Sequence, residues 1–194
     1  ILFKALCDSS SIKAEVISGK SKTSASQVGK AYKGDHAWNS VYLDDKWQML
    51  DVTWASGYCD DSVKKFTKKY DEGYFLTAPN KFVLQHYPDD TKKILFPNPP
   101  SETQFFSYPL AHSGFYKNEI ISFSPMNGII EGKIGNKITF EIRTPENESS
   151  ISVGTKKGSN EVKIKKQEKI ITYEYIVTSD KDDVLTIYLN GEAV

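Results

Sequence analysis

Apolar residues recur at four-residue spacing at the very start of the chain, Leu2 with Leu6 and Phe3 with Cys7, which predicts an amphipathic helix. Neither a methionine nor an N-cap residue precedes this pattern. A helix leaves its first four N–H groups to be satisfied by a cap, so the sequence is expected to continue upstream of Ile1. The β-branched alternation Ala14-Glu15-Val16-Ile17-Ser18-Gly19 then predicts a strand closed by glycine. Residues 20–35 show no periodicity and read as a long loop. Two further strand-like runs, 37–43 and 47–54, are joined by Asp44-Asp45-Lys46 and predict a hairpin with a tight polar turn. Across 60–72, Val63, Phe66 and Tyr70 keep the i, i+3, i+7 spacing of a short surface helix, with the pairs Lys64-Lys65 and Lys68-Lys69 facing water. From Tyr74 the chain is aromatic and proline-punctuated up to Phe96-Pro97-Asn98-Pro99-Pro100, and proline at that density marks a boundary. Beyond it, six short alternating runs at 120–123, 137–142, 150–153, 162–164, 170–177 and 184–189 predict a small all-β sandwich.

Composition narrows the function without naming it. The 194 residues are 39% apolar and carry 25 Lys+Arg against 25 Asp+Glu. A chain of this length fits one large domain or two small ones, and the pattern divides it at 1–100 and 105–194. Zero net charge speaks against a nucleic-acid partner, which rewards a basic excess through counterion release. No window reaches the roughly 18 apolar residues of a membrane span. Two cysteines rule out a dense disulfide framework and leave the redox compartment open. Three histidines without a His-x-x-x-His pair, and no acidic loop suited to calcium, predict neither a metal site nor a cofactor. Asn147-Glu148-Ser149 matches the glycosylation acceptor pattern, a triplet that often arises by chance.

A general base needs an imidazole whose tautomer is fixed by a third group. His36 opens the first strand of the hairpin and Asp51 ends the second. Counting from the turn puts the two within about three positions of being opposite, in reach of each other at about 3.3 Å per strand residue if both face one side. By spacing alone, a satisfied strand-end histidine and a polar hairpin aspartate are the better account of the pair. His86, before Tyr87-Pro88, and His112, before Ser113-Gly114, have no such carboxylate partner in the pattern and read as structural. Trp38, Trp47 and Trp54 read as core, with Trp38 and Trp54 also placed to line the His36 site.

The run His36-Ala37-Trp38-Asn39 followed on the next strand by Asp51-Val52-Thr53-Trp54 resembles the transglutaminase-like, papain-type superfamily. The opening Leu2-Phe3-Lys4-Ala5-Leu6-Cys7 and Ile12-Lys13-Ala14-Glu15-Val16-Ile17-Ser18-Gly19 look like the helix and first strand of that fold. Tyr74-Phe75-Leu76-Thr77-Ala78-Pro79, with Phe82 and His86-Tyr87-Pro88, is similar to the kyphoscoliosis peptidase branch, whose members often carry Ig-like modules. The resemblance covers residues 1–100 closely and 105–194 in general character. It implies an α+β chain: a papain-like core of one helix on an antiparallel sheet, then an Ig-like β-sandwich. It implies His36 and Asp51 as catalytic, with Trp38, Asn39 and Trp54 lining the site. The family's nucleophilic cysteine falls about five residues before Ile1, where a helix N-terminus favours the thiolate. Cys7 matches the buried cysteine that closes the helix, and Cys59 matches no family position. Two functions follow: a cysteine protease or acyltransferase acting on protein or peptide substrates, or a pseudoenzyme that binds a protein partner as a scaffold.

Overall fold

Hydrophobic alternation and short polar turns are enough to build the first half of the computed structural model, which describes residues 1–34, 36–60, 64–145, 150–155 and 162–194. The opening pattern forms α1 (Leu2–Ser9), which packs on β1 (Ala14–Ser21). The hairpin is β2 (His36–Leu43) and β3 (Lys46–Leu50), turned by Asp44 and Asp45. Both turn residues take positive φ, 50° and 58°, the left-handed pair that a two-residue hairpin requires and that short polar side chains tolerate. After α2 (Val52–Ser56) come β4 (Gly57–Asp60) and β5 (Lys65–Lys68), then α3 (Pro79–Phe82), β6 (His86–Pro88) and α4 (Glu102–Ser107).

An antiparallel sheet in the order β3-β2-β1-β6 is the frame of this unit. Because side chains alternate across a strand, the sheet has two buried faces. One carries Ala14, Val41 and Leu50 under Cys7 of α1, and the other carries Ile17, Trp38 and Met49 against Phe82 of α3. A third cluster, Val83, Tyr87, Phe105 and Phe106, ties α4 to the end of β6. Lys22 is fully buried at this end, its Nζ 2.9 Å from the Phe105 carbonyl and 4.7 Å from the centre of the Phe105 ring. Burial pushes its amine down to about 7.

Gly19 lets β1 and β6 close. A Cβ there would stand 2.2 Å from the Tyr87 carbonyl oxygen, 2.6 Å from the Trp38 indole and 2.7 Å from Pro88 Cα. Two of these are backbone atoms of β6, so Gly19→Ala must push that strand away. The expected loss is about 2–3 kcal/mol of unfolding free energy by urea titration. A loss under about 0.5 kcal/mol would mean the strands are not held this closely.

Three expectations for this half are corrected. The strand predicted over 47–54 stops at Leu50, and residues 52–56 are helical because Asp51 caps them. The surface helix predicted over 60–72 is instead the hairpin β4–β5 and a short 3-10 turn at Glu72–Tyr74; residues 61–63 lie outside the described set. Part of the predicted loop over 20–35 is structured: Lys20 and Ser21 end β1, and Ala25–Gln27 form a 3-10 turn closed by a capping box between Ser24 and Gln27.

The chain divides into two compact units, residues 1–23 with 30–106 and residues 24–29 with 107–194. The second holds α5 (Ser113–Lys117), β7 (Ser122–Ser124), β8 (Lys137–Arg143), β9 (Ile151–Thr155), β10 (Val162–Gln167), β11 (Ile170–Ile176), β12 (Leu185–Leu189) and β13 (Glu192–Ala193). These strands form two antiparallel sheets, β10-β11-β8-β7 and β13-β12-β9. Alternation is clearest in β11, where Ile171, Tyr173 and Tyr175 are buried and their neighbours are not. The triplet Asn147-Glu148-Ser149 lies outside the described residues. The chain as a whole is a mixture of helix and sheet, mostly strand, and every described sheet is antiparallel. Among the described residues no helix is long and apolar enough to cross a membrane.

Candidate active site

Three elements converge on one carboxylate. The β2–β3 register pairs Asn39 with Leu50, which puts position 51 across from Trp38 and two places from His36. Residues two apart on a strand share a face, so His36, Trp38 and Asp51 lie on the same side of the sheet. Asp51 leaves β3 with extended backbone (φ −108°, ψ 96°) and caps α2: its Oδ1 accepts from the Trp54 N–H at 3.0 Å. Capping fixes the carboxylate, and the short helix lays the Trp54 ring on His36 with centroids 5.0 Å apart and planes 24° from parallel. From the other side, β6 pairs with β1 at Ser21↔His86 and delivers His86 into the same place.

Asp51 has no exposed surface. Its Oδ2 accepts from Nε2 of His36 at 2.5 Å and from Nε2 of His86 at 3.0 Å. Burial by itself raises a carboxyl, but the hydrogen bonds from His36, His86 and the Trp54 N–H outweigh it and hold Asp51 well below the usual carboxylate range. An ionised carboxylate only accepts, so both imidazoles place their proton on Nε2, a tautomer assigned from the network. Each Nδ1 is then a bare lone pair. That of His36 belongs to a side chain 17% exposed. That of His86 is buried without a partner. Burial pulls the His86 imidazole down against the pull of Asp51, which keeps it neutral.

The residues singled out in the sequence divide accordingly. His36, Asp51, Trp38 and Trp54 are brought together, with the Trp38 ring 6.2 Å from His36. Asn39 is not: it faces the other side of the sheet and donates through Nδ2 to the Glu15 carbonyl at 3.0 Å. Cys7 is on that opposite face among Ala14, Val41 and Leu50, and Cys59 is exposed on β4. Neither thiol is hydrogen-bonded to His36. His112 precedes α5 in the second unit. His86 corrects the reading of an isolated structural histidine. Nothing in its local sequence announced a carboxylate 35 positions earlier, and its ring reaches Asp51 among Phe82, Trp38 and Trp54. The ligand-type atoms of His36, Asp51 and His86 all lie within 4.8 Å of one another, the one such convergence among the described residues. Both Nε2–H groups are spent on Oδ2, so the trio acts as a hydrogen-bonded unit.

The chain can be compared with known proteins on this basis. No protein-family model matches it. It is 37% identical over 147 residues to the kyphoscoliosis peptidase of Mus musculus, covering 74% of this chain and 22% of that protein. With the kyphoscoliosis peptidase of Homo sapiens it shares 36% over 145 residues, again 74% and 22%. With the LIM and transglutaminase domain protein ltd-1 of Caenorhabditis elegans it shares 32% over 130 residues, 60% of this chain and 18% of that one. The matched region thus spans about a fifth of the length of these relatives. The chain belongs to the transglutaminase-like proteins, in the branch of the kyphoscoliosis peptidases.

Proposed function

We propose that this chain carries the histidine–aspartate half of a cysteine peptidase or acyltransferase site acting on protein substrates, the thiol being supplied about five residues upstream of Ile1 as the family resemblance implies. One observation carries the reading: His36 is locked through Nε2 onto a buried, ionised Asp51, while its Nδ1 lone pair is uncommitted on a partly exposed ring. An imidazole held in that way is a general base. In the reaction, Nδ1 of His36 takes the thiol proton as sulfur attacks the carbonyl carbon of a peptide or glutamine carboxamide. The imidazolium, stabilised by Asp51, returns the proton to the departing amine or ammonia, leaving a thioester. Water or a second amine then attacks the thioester carbonyl as His36 takes its proton, the C–S bond breaks to release the acid or amide product, and the sulfur recovers the proton from His36. Trp38 and Trp54 shield the His36–Asp51 bond from water, which strengthens it.

We read residues 1–100 as the catalytic core, papain-like in architecture, and residues 105–194 as an Ig-like sandwich, a reading supported by the four-stranded and three-stranded antiparallel sheets of the second unit. The test uses the full-length natural protein and a haloacetamide probe. Labelling of one cysteine at neutral pH, at least about tenfold faster than a free thiol and lost in His36→Ala, is the expected result. Labelling no faster than a free thiol rejects the enzyme and leaves a scaffold.

A further inference from the structure

His86 is poorly explained as packing. Its ring stacks on Phe82 at 4.0 Å and 15°, lies 4.6 Å from Trp54 and meets Trp38 edge-on at 5.1 Å. Phenylalanine would fill that slot and strand no polar atom, whereas the imidazole leaves Nδ1 buried without a hydrogen bond, an arrangement that costs free energy and calls for a reason. The reason lies at the other nitrogen. Nε2 meets one group, and that group is Oδ2 of Asp51, the same oxygen that serves His36.

We propose that His86 is a positioning residue, a neutral second donor that fixes the Asp51 carboxylate and shares its charge, so that His36 is held as the Nε2–H tautomer without being trapped as imidazolium. Resting on the reading of His36 as the base, this assigns a role to a third residue of the site. The carboxylate is gripped from α2, β2 and β6 at once and cannot rotate about its last bond without breaking at least one of three hydrogen bonds. A carboxylate facing His36 alone would put its full charge on that imidazole and retain the proton more firmly. Donation from His86 draws off part of that charge. Neutrality of His86 matters equally, because a second cation would repel the imidazolium that His36 becomes. The other titratable groups near the pair do not take over this role. The Tyr74 ring is 6.4 Å from His86 and its phenol is pushed up by burial, so it stays protonated. Lys93, on the wall of the small cavity beside Trp38 and His86, is paired with Glu15 at 2.6 Å.

The test is nuclear magnetic resonance of the 194-residue chain labelled with 15N-histidine, which has three histidines to assign and whose ring-nitrogen shifts report the tautomer of each neutral imidazole. His86→Phe keeps the stacked ring and deletes the donor. The neutral form of His36 is expected to lose its single tautomer and to become a mixture of Nε2–H and Nδ1–H forms. His86→Gln, whose amide nitrogen can reach the place of Nε2, is expected to restore the single tautomer, while His86→Asn, whose amide falls short, is expected to behave like His86→Phe. A His36 ring that keeps its single Nε2–H tautomer in His86→Phe overturns the proposal, as do equal tautomer populations in the Gln and Asn variants, which decide the matter should the Phe variant not fold. A packing role alone would move stability and leave these tautomers in place. Asp51→Asn separates the two ideas. If it leaves the His36 tautomer unchanged, the catalytic-base reading itself fails; if it scrambles the tautomer while His86→Phe does not, only the role of His86 is lost.

Discussion

Asp51→Ala is expected to cost the first unit about 4 kcal/mol, a large share of the roughly 5–15 kcal/mol that holds a domain folded. The side chain is completely buried and is the acceptor for three donors, the Trp54 N–H and the Nε2–H groups of His36 and His86. Losing the cap of α2 accounts for about 1 kcal/mol. Stranding one fully buried imidazole N–H and one partly exposed one, each formerly paired with a charge, accounts for the rest. All three tryptophans, Trp38, Trp47 and Trp54, belong to the first unit. Their fluorescence in a urea titration therefore reports that unit separately from the strands of the second unit. Asp51→Asn keeps the volume and the capping oxygen but turns a donor toward two donors, and is expected to cost about half as much. A loss below about 1.5 kcal/mol for the alanine variant would show that the carboxylate is not the hub its contacts describe.

The sequence made some of this legible for physical reasons. His36 and Asp51 stood out because a short hairpin converts spacing into proximity: the turn at Asp44-Asp45 fixes the register, and the pleat then determines the face. The strands of the second unit showed themselves by alternation, since one face of β11 is buried and the other is not. Misreadings occurred where a local preference was overruled. Val52-Thr53-Trp54 has the composition of a strand, but the Asp51 carboxylate accepting from the Trp54 N–H turns the chain into α2. Over 60–72 the apolar spacing fits a helix, while the chain after Gly57 forms a ladder with Lys65–Lys68 instead. That close approach depends on the missing side chain: a Cβ at Gly57 would stand 2.1 Å from the Thr67 carbonyl. His86 was beyond local reading because β6 joins the sheet through β1, by a pairing that no periodicity encodes.

Taken together, the buried titratable groups predict an unusual pH profile for the first unit, with stability rising from acid to about pH 9 rather than peaking between pH 5 and 8. Asp51 is held below its ordinary range, so its contribution is full above about pH 4 and is lost as pH falls below it. His86 is pulled down by burial; the unfolded imidazole binds a proton near pH 6.5 where the folded one does not, and stability declines as pH drops through that value. Lys22 extends the same slope upward. Between its folded value of about 7 and its ordinary 10.5 the unfolded chain holds the extra proton, so unfolding free energy rises with pH by up to about 1.4 kcal/mol per unit, about 2 kcal/mol from pH 7.5 to 9. The reversal comes from Tyr74 and Tyr87, both raised by burial. Their unfolded phenols ionise near pH 10 while the folded ones resist, which favours unfolding beyond that point. Tryptophan-detected urea titrations across pH 4–10.5 should therefore climb to a maximum at about pH 9–10. In Lys22→Met the limb above pH 7 should flatten while the acid limb, set by Asp51 and His86, persists. A parent profile that is flat or falling between pH 7 and 9 would mean that Lys22 keeps its charge in the folded protein, and that the interior around Phe105 admits enough water to solvate it.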